Sequence, residues 1–78
     1  MNYLRDNDGI KKFGKRVREI RLSKNISMES LAFEAGIEYS QLSRIERGTI
    51  NTSISHAFAI AKALKIEPSD LFTFKMSK

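Results

Sequence analysis

The chain has 78 residues, no cysteine, and 14 Lys and Arg against 9 Asp and Glu, giving a net charge of +5 and a pI near 9.8. A chain this short buries only about 60% of its unfolded surface, so one thin-cored domain is expected, with no room for a separate sensor domain. The missing cysteines exclude a disulfide scaffold, a thiol nucleophile and a cysteine zinc site.

The charge is unevenly spread. Seven of the cations (Lys11, Lys12, Lys15, Arg16, Arg18, Arg21 and Lys24) fall in one segment opposed only by Glu19, and Lys75 and Lys78 add charge near the C-terminus. Such a balance favours an anionic partner, nucleic acid or a membrane surface. No stretch approaches the ~20 apolar residues of a membrane span. Met1 to Gly9 lacks the apolar run of a signal peptide. A soluble, cytoplasmic protein with no membrane partner is expected.

Residues 1–9 read as an N-terminal tail, 10–73 as the folded domain and 74–78 as a C-terminal tail. Helix one is predicted from about Asp8 to Lys24, with Ile10, Phe13, Val17 and Ile20 on one face. Gly14 is a weak point within it, costing roughly 1 kcal/mol against Ala. Asn25 is a candidate for the left-handed position that ends helices. Helix two starts after Ser27, a good N-cap, buries Leu31, Ala32 and Ala35, and stops at Gly36. Helix three runs from about Tyr39 to Arg47, with Glu38 as an imperfect N-cap, Leu42 and Ile45 inward, and Gly48 closing it. Helix four spans about Ile54 to Lys65. Ser53 caps it, and Ile54, Ala57, Phe58, Ala61 and Leu64 form its apolar face. Helix five takes one or two turns from Pro68, placed where its missing N–H costs nothing, to about Phe72.

The informative segment is Ser27 to Gly48, which reads helix, tight turn, helix. Ala32 allows the two axes to approach, Ile37 plugs the turn, and Leu42 and Ile45 anchor the second helix. Its outer face then carries Tyr39, Ser40, Gln41, Ser43, Arg44 and Arg47. A core-supported helix with a polar outer face fits the major groove of duplex DNA.

From Phe13 to Phe72 the chain resembles the lambda-repressor and Cro-like (XRE-type) helix-turn-helix family, including small controller proteins of restriction-modification systems. The resemblance lies in Val17-Arg18-Glu19-Ile20-Arg21, Leu31-Ala32, Ala35-Gly36-Ile37, Ser43-Arg44-Ile45-Glu46-Arg47-Gly48, Ile60-Ala61-Lys62-Ala63-Leu64 and Asp70-Leu71-Phe72. It implies an all-α, five-helix lambda-repressor-like domain, with the helix-turn-helix at helices two and three, that regulates transcription. Tyr39, Ser40, Gln41 and Arg44 stand where the family reads base edges. Ser27 and Met28 stand where backbone N–H groups grip a phosphate. Ser43, Arg47, Thr49 and Asn51 flank the next phosphates. Glu46 matches the family's structural acid. Arg18 and Arg21 remain open between phosphate contact, solvated face and pairing with Glu46. Tyr39 is open between touching DNA and capping the turn. Two positions depart from the pattern: Met28 replaces a common Gln, and Thr52 a common Pro.

Catalysis is not expected. There is no paired-carboxylate arrangement, no Ser-His-acid order and no glycine loop for phosphate, and neither a metal nor a cofactor is implied. The lone histidine, His56, reads as a surface or capping residue. Specific binding by so small a domain calls for two copies on a pseudo-palindrome, with recognition helices ~34 Å apart. Leu71, Phe72, Phe74 and Met76 are the candidate homodimer surface, because they exceed what a thin core absorbs; the competing reading has Leu71 and Phe72 complete the monomer core. RNA polymerase and a toxin stay open as protein partners, the latter in an antitoxin reading. A third reading is an interaction adaptor that reuses the fold without DNA.

Overall fold

The computed structural model describes residues 4–76. The first three residues of the expected N-terminal tail and the last two of the C-terminal tail, including Lys78, lie outside the described residues. Four α-helices follow one another: α1 (Asn7–Ser23), α2 (Met28–Ala35), α3 (Tyr39–Arg47) and α4 (Ile54–Leu64). A 3-10 helix, Pro68–Phe72, comes last, and no strand occurs among the described residues.

Each boundary has a local cause. The Asp6 carboxylate accepts from the Gly9 N–H at 2.8 Å, which starts α1 one residue earlier than periodicity places it. Asn25 takes the left-handed backbone (φ 56°) and lets the Ile26 N–H reach the Arg21 carbonyl. The Ser27 hydroxyl accepts from the Ser30 N–H at 3.0 Å. Ser53 does the same for the His56 N–H at 3.1 Å, and its hydroxyl also meets His56 Nδ1 at 3.0 Å. Glu38 caps α3 through its extended backbone alone, with no side-chain bond. Helix α4 stops at Leu64 because Lys65 turns left-handed (φ 58°).

The expected fifth helix is corrected in kind. Its Asp70 N–H bonds back three residues to the Glu67 carbonyl, the tighter 3-10 pattern. Five residues opening on Pro68 are too few to propagate α-helical bonds.

The core gathers one stripe from every element: Phe13, Val17 and Ile20; Leu31 and Ala32; Leu42 and Ile45; Ala57, Ile60, Ala61 and Leu64; and Leu71, with Ile37 filling the turn between α2 and α3. Two expectations fall here. Ile54 and Phe58, expected on the apolar face of α4, are 65% and 56% exposed. The helix packs through positions 57, 60, 61 and 64, and its Ile54–Phe58 pair is rotated off that stripe. Leu71 was assigned to a dimer surface, yet it is fully buried. It closes the bottom of the monomer core and is unavailable to a partner. Phe72 is half exposed and stacks on Phe13, ring centroids 5.2 Å apart.

Residues 74–76 fold back along α1 instead of projecting away. Lys12 Nζ donates to the Lys75 carbonyl, Arg16 Nε donates to the Asp70 carbonyl at 2.8 Å, and Phe74 rests against the core. Part of the basic face of α1 is therefore engaged in holding the C-terminal segment.

Candidate nucleic-acid interface

Helix α3 divides cleanly into two faces. Leu42, Ile45 and Glu46 point inward. Tyr39, Ser40, Arg44 and Arg47 are exposed, and Gln41 and Ser43 are half-buried between the faces.

A buried ion pair ties α3 to α1. Arg21 Nε donates to Glu46 Oε2 at 2.7 Å and Nη2 to Oε1 at 3.0 Å, a bidentate fork. Arg21 Nη1 donates to the Ile26 carbonyl at 3.0 Å. The side chains are only 8% and 3% exposed. The hydrogen bond to Glu46 raises the Arg21 pKa above its ordinary value, with burial opposing. This decides the question left open for Arg21: it holds the fold and does not reach phosphate. Arg18, exposed and unpaired among the described residues, keeps the surface role.

Two glycines bring the helices into backbone contact. A Cβ on Gly14 would lie 2.1 Å from the Ile45 carbonyl oxygen. Gly48 sits at φ +71°, and a Cβ there would lie 2.7 Å from Lys11 Cα. Close approach, rather than helix propensity, explains Gly14 in the middle of α1.

The remaining candidates surround α3. Past its end, the Thr49 N–H and hydroxyl both donate to the Arg44 carbonyl, at 3.0 and 3.3 Å. Arg47 Nε donates to the Ser43 carbonyl at 3.3 Å, and Asn51 is exposed. The Arg44 guanidinium has no partner among the described residues. At the start of α2 the Met28 side chain packs against the core, so its contribution outward is restricted to backbone. Ser27 satisfies the Ser30 N–H, which leaves the Met28 and Glu29 N–H groups pointing out of the helix start, where anions are favoured. The hydroxyl of Thr52, the second departure, is buried without a hydrogen-bond partner.

The structure exposes residues that periodicity placed on an apolar helix face. Ile54 and Phe58 join Phe72 and Met76 as exposed apolar side chains. Ile54, Phe72 and Met76 line an apolar groove of about 410 Å³ together with Ile10, Ile50 and Phe74. Arg5, absent from the expected site, reaches the Thr49 carbonyl at 3.3 Å. No local pattern marks that contact, which joins positions 44 residues apart. No described cluster of His, Asp or Glu could hold a metal ion, and no described helix is long and apolar enough to cross a membrane.

The helix-turn-helix family profile matches residues 17–71. Control protein C.BamHI of Bacillus amyloliquefaciens is 51% identical over 63 residues, spanning 80% of this chain and 78% of that one. The crystal structure of the restriction-modification controller protein C.AhdI from Aeromonas hydrophila matches with a TM-score of 0.79 at 44% identity, over 81% of this chain and 96% of that one. The wild-type controller protein C.Esp1396I matches with a TM-score of 0.75 at 28% identity, over 81% and 82%. By name these relatives are control proteins, the two solved ones of restriction-modification type. With the profile covering more than half of its length, the chain belongs to the helix-turn-helix family of transcriptional regulators.

Proposed function

We propose that two copies of this chain bind an inverted repeat in duplex DNA, each laying α3 in the major groove, and so control transcription. The observation that carries the reading is the division of α3. Its inner face is locked by Leu42, Ile45 and the Arg21–Glu46 fork, while the Arg44 guanidinium stands exposed with no partner among the described residues. A guanidinium held in that way pairs with both major-groove acceptors of guanine. Tyr39, Ser40 and Gln41 share the base-reading face. Arg18, Ser43, Arg47, Thr49, Asn51 and the backbone at Ser27 and Met28 take the phosphates on either side.

Selection from a random duplex library at about 0.15 M salt, where surface charges act over only ~8 Å, tests this. Recovery of an inverted repeat is the expected result. Recovery of nothing above background overturns it and favours the adaptor reading. Arg44→Ala should cost ~1–3 kcal/mol on the selected site and relax one base preference, whereas Arg47→Ala should weaken all duplexes alike. A uniform loss for Arg44→Ala would move that residue to the phosphates.

The dimer reading rests on the apolar groove. Ile54, Phe72 and Met76 are exposed along it, with Phe74 half-buried, on a chain whose net charge of +5 otherwise keeps copies apart. A self-complementary patch of this kind suits a two-fold interface. Ile54 lies outside the monomer core, so Ile54→Glu tests association without emptying that core. It should weaken the dimer by ~2 kcal/mol, about thirtyfold, the scale of an interface hot spot. Sedimentation measures it, and an unchanged dimer constant would place the interface elsewhere.

A further inference from the structure

We infer that Arg5 and Lys11 form an additional grip on a backbone phosphate of duplex DNA, beside the turn that ends α3. The inference rests on the DNA-binding reading and extends it to the segment entering α1, which the site assignment leaves out.

Arg5 is held from two directions. Its Nη2 donates to the Thr49 carbonyl at 3.3 Å and its Nε to Asn7 Oδ1 at 2.7 Å. A guanidinium has five N–H donors, so three remain. A long bond from an exposed arginine to a carbonyl contributes little to stability. Its effect is to fix the guanidinium next to Thr49, already a candidate phosphate residue. Lys11 meets the same turn from α1. Its Cα and Cγ lie 2.7 and 2.9 Å from where a Cβ on Gly48 would stand, and its side chain is exposed. Arg5 and Lys11 therefore both meet the turn at residues 48–49, next to Arg47, whose Nε bonds back to the Ser43 carbonyl.

The nearby carboxylates are engaged elsewhere. Asp6 caps the Gly9 N–H at 2.8 Å, and Asp8 pairs with Lys12 at 3.1 Å. A guanidinium held in place with unspent donors, beside an exposed lysine on the same turn, suits a phosphodiester, which accepts from several N–H groups at once. An acidic peptide would meet the same cations, and the salt dependence on duplex DNA separates the two.

The test uses the full chain and two duplexes, the selected site and an unrelated sequence, titrated across a range of salt. Arg5→Gln and Lys11→Gln should each lower the slope of log affinity against log salt, and together by ~0.9, the release expected for one phosphate contact. Both duplexes should be affected alike, and melting temperature should stay with the parent. Lys62→Gln removes the same charge from the last turn of α4 and should leave the slope unchanged. An equal drop in Lys62→Gln would show an effect of net charge and overturn the local contact. A parent that binds DNA while Arg5→Gln and Lys11→Gln keep its slope overturns this inference alone. A parent that binds neither duplex overturns the DNA-binding reading and this with it.

Discussion

Glu46→Ala is expected to destabilise the domain by about 3–5 kcal/mol, the usual cost of leaving one buried charge without its partner. Glu46 accepts two hydrogen bonds from Arg21, and both side chains are almost fully enclosed. Removing the carboxylate leaves the guanidinium with the Ile26 carbonyl alone. In a domain of this size each kcal/mol moves the midpoint by at least ~4 °C, so the melting temperature should fall by roughly 12 °C or more. Removing both charges together, as Arg21→Met with Glu46→Leu, should recover most of the loss, because neither group is then stranded. A single variant within ~1 kcal/mol of the parent would show that the pair does not hold α1 to α3. The effect has little pH dependence near neutrality. The Arg21 pKa is raised in the fold, so its stabilisation is complete below the unfolded value and is lost only as pH rises through the folded one, in strong alkali.

Gly14→Ala should also destabilise, although helix propensity alone predicts a gain of roughly 1 kcal/mol. The new methyl would sit 2.1 Å from the Ile45 carbonyl oxygen and 2.8 Å from that of Glu46. Both obstacles are backbone, so no side chain can rotate aside, and α1 must move off α3. Overpacking of this kind costs typically ~1–3 kcal/mol and sometimes more. The net change measured by urea unfolding should be a loss near the upper end of that range. DNA affinity should fall further than the folded fraction does, because the displaced seam carries α3, the proposed reading helix. A stability gain would mean that the two backbones are not in contact.

These two variants mark where sequence reasoning stops. Helix ends were legible because their signals are local. Ser27 and Ser53 cap as expected, Asn25 turns left-handed, and Gly36 and Gly48 close α2 and α3. The period of α3 gave Leu42 and Ile45 inward and Tyr39, Ser40, Arg44 and Arg47 outward, while Gln41 and Ser43, expected outside, are half-buried, and the inward Glu46 came from the family resemblance. Gly14 was legible only as a weak helix former, since its reason is a neighbour 31 positions away in the chain (Ile45). Arg21 carried three readings until Glu46 was placed beside it. Ile54 and Phe58 looked buried because they border the true stripe of α4, and periodicity does not fix the edge of a stripe. Leu71 and Phe72 are adjacent apolar residues. Only the packing shows that the first fills the core while the second keeps half its ring in solvent. Arg5 left no trace at all, because its partner is a carbonyl and any residue supplies one.

The two-faced build of α3 bears on how such a protein changes over generations. Ser40 and Arg44 are exposed and outside the core, so exchanging them should leave the scaffold's stability nearly untouched. The orientation of the helix is set by contact between main chains at Gly14 and Gly48 and by one enclosed ion pair, on which Tyr39 acts electrostatically while Ser40 and Arg44 do not. On the proposed base-reading role of that face, a lineage can drift to a new target in single steps without passing through unfolded ancestors. The same separation makes the outer positions a transplantable reading head on a frame that tolerates little change.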